Sequence, residues 1–163
     1  MARSTYVVAI GSNRRGRHGR PEAEVRAALA LLKPTAASPI VASKPIGPSI
    51  RRFANAVALI ETEAGPEEML RRLKRIETAF GRRRGRRWGA RVIDLDIVLW
   101  SGGGWNAPSL TIPHPAFRER AFVLAPLTEL VPEWRDPVTG LTIRRLLARL
   151  TRTRPLPNPR PRW

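Results

Sequence analysis

Residues 87–100 read RWGARVIDLDIVLW, and the second half of this stretch predicts a β-strand. β-Branched and apolar residues run through it without a break until a glycine turn at 102–104. Because side chains alternate along a strand, Asp94 and Asp96 are expected on one face, with Cα atoms about 6.5–7 Å apart. The opposite face is expected to carry the apolar residues Ile93, Leu95, Ile97 and Leu99.

This carboxylate pair has two interpretations. In the first, one side of the strand faces solvent and carries the two acids. In the second, the pair binds a cation, because two uncompensated carboxylates are costly to bury. Residues 81–87, directly before the strand, read GRRRGRR and predict a basic loop. Arginine forks bind phosphate oxygens and carboxylates hold metal ions, so the combination favours a polyphosphate–Mg²⁺ complex.

The composition indicates one folded domain over residues 1–163, since 42% of the residues are hydrophobic. A tail at 151–163, rich in proline and arginine, is expected to be poorly ordered. The chain has no cysteine and only two histidines, which excludes thiolate and histidine-rich metal sites. Any metal is therefore expected to be a hard, oxygen-ligated ion such as Mg²⁺. The net charge of +17 attracts anions such as nucleotides, nucleic acids or acidic membranes.

The first apolar run of the chain is too short for a signal peptide, and no later run could span a bilayer. A cytoplasmic protein is expected. The spacing from Gly11 to Gly16 fits the first half of a phosphate-binding loop of the Walker type. Arg17 and His18 stand where that motif requires Lys and Ser or Thr, so this interpretation is rejected.

The periodicity of apolar residues and the positions of Gly and Pro give a coarse order of elements. In chain order these are a strand at 6–10 ended by a turn at 11–13, a helix from Pro21 to Pro34, strands at 38–44 and 53–61, a helix at 66–81, the strand after Asp94, an extended segment at 110–115, a helix at 118–130 interrupted at Pro126, and a helix at 141–150. This order predicts an α+β fold, a ferredoxin-like αβα sandwich around a mainly antiparallel sheet.

Three further polar residues are candidates for a site. Asn55 lies on one face of its strand between Phe53 and Val57, either as a half-exposed edge residue or as an amide that binds a heterocycle. Glu77 borders the apolar stripe of the second helix, either as an ordinary flanking acid or pointing into a site. His114 stands between two prolines in a rigid segment, so it is not expected in the core.

Several stretches taken together resemble one family, the hydroxymethyl-dihydropterin pyrophosphokinases of folate biosynthesis. They follow the family's order from about residue 5 to 135: AIGSN at 9–13, PIGP at 45–48, FANA at 53–56, RIE at 75–77, RWGARVIDLD at 87–96, LTIPH at 110–114 and RAF at 120–122. The run that contains both aspartates and the TIPH segment are the specific signals. The IGSN segment alone is a weak signal.

The resemblance implies transfer of the terminal diphosphoryl group of ATP to the hydroxymethyl oxygen of 6-hydroxymethyl-7,8-dihydropterin, with release of AMP. It implies that Asp94 and Asp96 hold two Mg²⁺ ions and that Arg82 and Arg91 neutralise charge on the transferring group. The implied pterin contacts are Ser43, Ile46, Phe53, Asn55, Trp88 and Phe122. The implied ATP contacts are Glu77, Arg84, Arg87, Ile97, Thr111, His114 and Arg120. The resemblance also implies that Arg84, Arg87 and Trp88 belong to a mobile basic loop that closes over the substrates.

The chain departs from the family pattern at four of these or neighbouring positions: Phe53 replaces a tyrosine, Lys74 a glutamine, Ser109 an ATP-contacting arginine, and Pro115 an aromatic residue. The expected partners are ATP and the pterin alone, with a monomeric protein and no nucleic acid or membrane. A different Mg²⁺-dependent transferase would explain the carboxylates but not Asn55, Phe53 or the 113–114 segment. A basic nucleic-acid-binding module would explain the charge but gives no use for paired acids beside the arginine loop.

Overall fold

The computed structural model describes residues 2–43, 52–81 and 92–152. Strands and helices alternate over the first two thirds of the chain, and a small hairpin and two helices follow. In chain order they are β1 (Ser4–Ser12), α1 (Pro21–Leu32), β2 (Ala36–Ala37), β3 (Val41–Ser43), β4 (Phe53–Thr62), α2 (Pro66–Ala79), β5 (Asp94–Trp100), β6 (Trp105–Ala107), β7 (Leu110–Ile112), a 3-10 turn (Phe117–Glu119), α3 (Ala121–Leu130) and α4 (Ile143–Thr151).

The main sheet has the strand order β3-β4-β1-β5, with β2 also paired to β4, and every pairing is antiparallel. This is the order produced by two interleaved strand–helix–strand units, one containing α1 and the other α2. Helices α1 and α2 cover one face of the sheet, and α3 and α4 pack on part of the other. The predicted ferredoxin-like αβα sandwich is confirmed.

Alternation along the strands divides the apolar residues between two cores. Along β1, Tyr6, Val8 and Ile10 belong to the core under α1 and α2. Val7, between them, belongs to the core under α3 and α4. A fully buried aliphatic side chain contributes about 1.5–3 kcal/mol, so the two cores together hold the sheet between its helix layers.

A β-bulge in β5 changes the face on which its last residues lie. Val7 pairs with Leu99 while Val8 pairs with Ile97, which leaves Val98 as the extra residue. Leu99 is therefore buried in the core under α3 and α4. The prediction that Leu99 shares a face with Leu95 and Ile97 is wrong because simple alternation does not allow for the extra residue. The bulge lies after Asp94 and Asp96, so their shared face is unaffected.

Two predicted strand boundaries also change. β1 continues through Gly11 and Ser12 instead of ending in a turn, since both residues pair with β4. The strand predicted at 38–44 is divided into β2 and β3, and its last residue lies outside the described residues. The division falls at Ser38, whose hydroxyl accepts the backbone N–H of Val57 at 3.0 Å, and at Pro39, which has no N–H to donate.

The predicted helix at 118–130 is interrupted in a different place. Pro126 lies inside a continuous α3. The break comes instead at Arg120, whose extended backbone (φ −108°, ψ 96°) separates the 3-10 turn from α3. The predicted tail lies outside the described residues from 153 onward. In the part of the chain that the structure describes, no helix combines the length and the apolar character that a bilayer crossing requires.

A buried ion pair joins the loop between α3 and α4 to the 3-10 turn. Asp136 is 0% exposed, and its carboxylate accepts the Nε–H and Nη2–H of Arg118 at 2.6 and 2.7 Å. It also accepts the Thr139 hydroxyl at 2.7 Å and the Val138 N–H at 3.1 Å. Burial acts to raise the pKa of Asp136, but these hydrogen bonds outweigh it and hold the pKa below its ordinary value.

The lowered pKa gives this ion pair a defined pH dependence. Its stabilising effect is complete above the unfolded pKa of about 4 and is lost as the pH falls through the lower folded value. We expect Asp136→Asn to reduce the free energy of unfolding by about 3 kcal/mol at neutral pH. The difference in free energy of unfolding between the variant and the wild type should become smaller below about pH 4. Urea unfolding over a pH series measures this difference. A difference that is constant down to about pH 3 would contradict this assignment.

Candidate active site

A cavity of about 400 Å³ opens on the sheet face that α3 and α4 leave uncovered. The helices cover the part of this face around Val7 and Val57, and the cavity lies beyond the first turn of α3. Its lining comes from three adjacent strands and that first turn: Ala9, Ile10, Gly11, Ser12, Asn13, Phe53, Asn55, Ala56, Asp94, Asp96, Arg120, Phe122 and Val123. Six predicted site residues line this one cavity: Phe53, Asn55, Asp94, Asp96, Arg120 and Phe122.

The floor of the cavity is set by cross-strand register. Gly11 pairs with Asn55 on one side and with Asp94 on the other, so the three residues form one row across the sheet. A Cβ atom at Gly11 would lie 3.0 Å from the Asn55 Oδ1 atom. The lack of a side chain at this position therefore keeps the floor open between the amide and the carboxylate.

The next row on the same face contains the second carboxylate. Ala9 pairs with Val57 in β4 and with Asp96 in β5. Asp94 and Asp96 thus lie on the same face and both line the cavity, as the alternation in β5 predicts. Their shared position beside small residues leaves room for a ligand above the centre of the sheet.

Two aromatic rings line the cavity from different elements. Phe53 opens β4 and is 43% exposed, and Phe122 lies in the first turn of α3 and is 52% exposed. Large apolar side chains that remain this exposed at the rim of a concave site are typical of ligand contacts. Their flat faces suit a planar ring.

Arg120 supplies positive charge beside the acids. Its Nη1 atom lies 4.0 Å from the Asp96 Oδ2 atom, and its guanidinium lies 5.8 Å from the centre of the Phe122 ring. The N-terminus of α3 begins at the next residue, and the positive end of a helix dipole favours anions. An anionic ligand could bind at this end of the cavity.

The carboxylates form a donor set that suits a hard cation. Both supply oxygen ligands and both face a cavity of ligand size. Among the described residues, no group of three or more His, Asp or Glu side chains could hold a metal ion. Mg²⁺ commonly binds through one or two carboxylates and takes its remaining ligands from water and substrate phosphates, so the pair fits that ion.

His114 lies against the outer edge of β5. Its backbone N–H donates to the Val98 carbonyl at 3.0 Å, and its Nδ1 atom accepts the Ala116 N–H at 3.1 Å. Burial, opposed by Asp96 and assisted by Arg120, lowers the pKa of His114 below its ordinary value. The ring is therefore neutral at pH 7, and because Nδ1 accepts, its hydrogen is on Nε2.

The sequence left open whether the Glu77 side chain flanks α2 or points into a site, and the structure shows its position. It is a buried residue of α2, and its carboxylate accepts the Leu95 backbone N–H at 2.9 Å and the Lys74 ammonium at 3.1 Å. Leu95 stands between the two aspartates, so this contact fixes the backbone that presents them. Glu77 does not line the cavity. Its contact with ATP stays a prediction.

The other sequence-predicted residues lie apart from the cavity or outside the described residues. The Ile97 side chain is buried in the core under α1 and α2, on the face opposite the carboxylates. Thr111 lines a separate cavity of about 610 Å³ beside β6 and β7. The backbone of Ser43 pairs with Phe53 at the end of β3. Outside the described residues lie Ile46, Arg82, Arg84, Arg87, Trp88 and Arg91.

The residues of β1 are absent from the site predicted from the sequence, although the structure gives them a place in it. Gly11 and Ala9 form the cavity floor, and Ser12 donates its hydroxyl to the Val92 carbonyl at 2.6 Å. That bond ties the end of β1 to the segment that enters β5. The signal was present in the AIGSN match, but only the register of β1 between β4 and β5 shows what its small residues do.

Comparison with known proteins identifies the family. A sequence profile described as "7,8-dihydro-6-hydroxymethylpterin-pyrophosphokinase (HPPK)" matches residues 7–132. The chain belongs to the HPPK family. The family resemblance found in the sequence is confirmed.

Curated relatives in the HPPK family carry the name 2-amino-4-hydroxy-6-hydroxymethyldihydropteridine pyrophosphokinase. The protein from Pseudomonas aeruginosa is 39% identical over 144 residues, which is 84% of this chain and 86% of that protein. The protein from Haemophilus influenzae is 39% identical over 136 residues, 79% of this chain and 82% of that protein. The match to the Synechocystis protein is 39% identical over 105 residues and spans only 54% of that protein.

Solved structures support the HPPK fold. A Plasmodium falciparum HPPK-DHPS chain with pteroate has a TM-score of 0.68 at 15% identity, covering 91% of this chain and 41% of that one. An HPPK-DHPS chain in complex with substrates has a TM-score of 0.71 at 15% identity, and the match covers 91% of this chain and 45% of that one. This chain thus spans less than half of these larger proteins, and at this identity the likeness concerns the fold alone.

Proposed function

We propose that this chain transfers the βγ-diphosphoryl group of ATP to the hydroxymethyl group of 6-hydroxymethyl-7,8-dihydropterin, giving the pterin diphosphate and AMP for tetrahydrofolate synthesis. The observation that carries the proposal is the row Asn55–Gly11–Asp94 across the cavity floor. Two strand spacings separate the amide from the carboxylate, about 9.5 Å. That span accommodates a flat bicyclic ring with its hydroxymethyl arm directed at the phosphate site.

The pterin is proposed to lie over Gly11 with its ring edge at Asn55. An amide both donates and accepts, which matches the alternating donors and acceptors of a pterin edge. Phe53 and Phe122 would pack against the ring, and their exposure at the cavity supports this arrangement. Phe53 lacks the hydroxyl of the tyrosine that the family pattern has there, but stacking does not need it. Ser43, Ile46 and Trp88 are proposed as further pterin contacts.

The phosphates are proposed to bind at the β5 side of the cavity. Asp94 and Asp96 would hold two Mg²⁺ ions, and the donor set of two carboxylate oxygens on one face supports this assignment. Bound Mg²⁺ supplies charge neutralisation of the phosphate oxygens. Arg120 and the neutral His114 are proposed as ATP contacts near Asp96, together with Arg84 and Arg87. Glu77, Ile97 and Thr111, whose side chains lie outside this cavity, are proposed as ATP contacts beyond it, Ile97 through its backbone alone.

The chemistry needs positioning more than covalent participation by the protein. The hydroxymethyl oxygen forms a bond to the β-phosphorus, and the bond from that phosphorus to the oxygen shared with the α-phosphate breaks. AMP leaves with the electron pair, and the hydroxyl proton is released. Arg82 and Arg91 are proposed to neutralise charge on the group in transfer. In the cavity, Asn55 and the two rings would hold the attacking oxygen in line.

A product analysis tests the proposal directly. Purified protein with ATP, Mg²⁺ and the reduced pterin should form AMP and pterin diphosphate in equal amounts, as measured by anion-exchange chromatography. Omission of the pterin or chelation of Mg²⁺ should stop AMP formation. ADP as the nucleotide product would indicate single phosphoryl transfer and would contradict the proposal.

The remaining expectations belong to the same proposal. The protein is proposed to act as a single pyrophosphokinase domain, as a monomer in the cytoplasm, with ATP and the pterin as its partners and with no nucleic acid. Both substrates are small molecules, and the cavity is of the size that such ligands occupy.

A further inference from the structure

The ion pair between Arg118 and Asp136 occupies a position from which it can act on the active site. Asp136 is itself held firmly, since its N–H donates to the Leu141 carbonyl at 2.9 Å and its carbonyl accepts the Gly140 N–H at 2.8 Å. Together with the bonds that its carboxylate accepts from Val138 and Thr139, these contacts hold Asp136 in place independently of Arg118. The loop between α3 and α4 therefore works as a fixed support for the 3-10 turn.

The 3-10 turn that carries Arg118 is bounded by two residues of the proposed ATP site. The Phe117 N–H donates to the His114 carbonyl at 3.2 Å, and the Arg120 N–H donates to the Phe117 carbonyl at 3.3 Å. Arg120 lies 4.0 Å from the Asp96 carboxylate, and the charge of Asp96 acts to raise the pKa of His114. The position of the turn thus sets how these two side chains stand relative to the carboxylate.

Two anchors hold the turn, and they differ in kind. The Phe117 ring is 1% exposed in the core under α3 and α4, and this packing fixes how close the 3-10 turn lies to the core. Arg118 packs its guanidinium 4.7 Å from the centre of that ring and pairs with Asp136 through two parallel hydrogen bonds. A bidentate pair defines direction as well as distance, so it fixes the rotation of the turn, which packing alone would leave loose.

We infer that Asp136 is a positioning residue for the nucleotide: through Arg118 it orients the turn that presents His114 and Arg120 to ATP beside Asp96. The inference rests on the proposed function, because it takes the ligand at this end of the cavity to be ATP. Asp136 does not touch the ligand. Its effect should appear in the binding of ATP and leave the pterin end of the cavity, at Asn55, unchanged.

The test compares the ligand affinities of the wild-type protein with those of three variants. Asp136→Asn keeps the shape of the side chain but cannot accept both bonds from the arginine fork. Glu133→Gln breaks the exposed ion pair, 2.8 Å long, between Glu133 in the same loop and Arg144 in the first turn of α4, and serves as the matched control. Val25→Ala removes core volume on the other side of the sheet, so it lowers stability without touching the turn.

Affinity for a non-hydrolysable ATP analogue with Mg²⁺, and separately for the pterin, is measured by calorimetry well below each melting temperature. We expect Asp136→Asn to lose about tenfold in affinity for the analogue. Its affinity for the pterin should stay within about twofold of wild type. Both controls should keep wild-type affinity for both ligands, although Val25→Ala melts at a lower temperature.

Several results would overturn the inference: wild-type affinity for the analogue in Asp136→Asn, an equal loss for both ligands, or an equal loss in Val25→Ala. If Asp136→Asn does not fold, Arg118→Lys is measured in its place, since it keeps the positive charge but loses the bidentate guanidinium. Wild-type affinity of Arg118→Lys for the ATP analogue would equally overturn the inference. Failure of the proposed function is a separate result. It would appear as absence of AMP formation by the wild-type protein.

Discussion

Replacement of either Asp94 or Asp96 by asparagine should reduce kcat by about 10³-fold while the protein folds normally. Each variant keeps the size of the side chain and removes one of the two negative charges that face the cavity from β5. The loss is expected because the proposed mechanism needs both carboxylates to hold the metal ions that neutralise the phosphates. Steady-state rates of AMP formation at saturating substrates measure the effect, and thermal unfolding measures the fold.

Glu63→Gln is the matched control for these two variants. It removes the same charge from an exposed residue just after β4, at the end of the sheet opposite the cavity. This control should retain the wild-type kcat. A rate within about tenfold of wild type in both Asp94→Asn and Asp96→Asn would refute the metal assignment.

Asn55→Ala should reduce kcat/KM for the pterin by about 100-fold, mainly through a higher KM. In the proposed arrangement the amide faces the ring edge across Gly11, and without it the donors and acceptors of a bound pterin would lose their partners. The KM for ATP should change little, since Asn55 lies two strands away from the carboxylates. Initial rates with each substrate varied in turn separate the two effects.

Asn106→Ala offers a comparison with the same chemical change. Asn106 is exposed on β6 and does not line the main cavity. This variant should match wild type in KM for the pterin. The proposed placement of the pterin would be wrong if Asn55→Ala also kept the wild-type KM for the pterin. It would equally be wrong if Asn55→Ala raised only the KM for ATP.

The alternation of side chains in β5 was enough to place Asp94 and Asp96 together, because the residues before the bulge follow the regular period. The same rule failed at Leu99, since one extra residue reverses the face and nothing in VIDLDIVLW marks where it enters. A sheet face is therefore predictable only as far as the first irregularity.

The cavity itself was only partly predictable. Asn55 and Phe53 could be placed on one face of a strand, but their distance from the carboxylates depends on β1 lying between β4 and β5. That order is a property of the whole fold. The role of Asp136 could not be found from the sequence, because its partner Arg118 lies 18 residues away on a turn that the periodicity assigned to a helix.

The outer side of β5 has a consequence for solubility. Among the described strands, β5 is the last of the main sheet, and such an edge offers its backbone for pairing with another chain. Here the Leu95 N–H is taken by the Glu77 carboxylate and the Val98 carbonyl by the His114 N–H. A strand from a second molecule would have to displace both contacts before it could add to the sheet. Glu77 and His114 therefore protect this edge against intermolecular strand pairing.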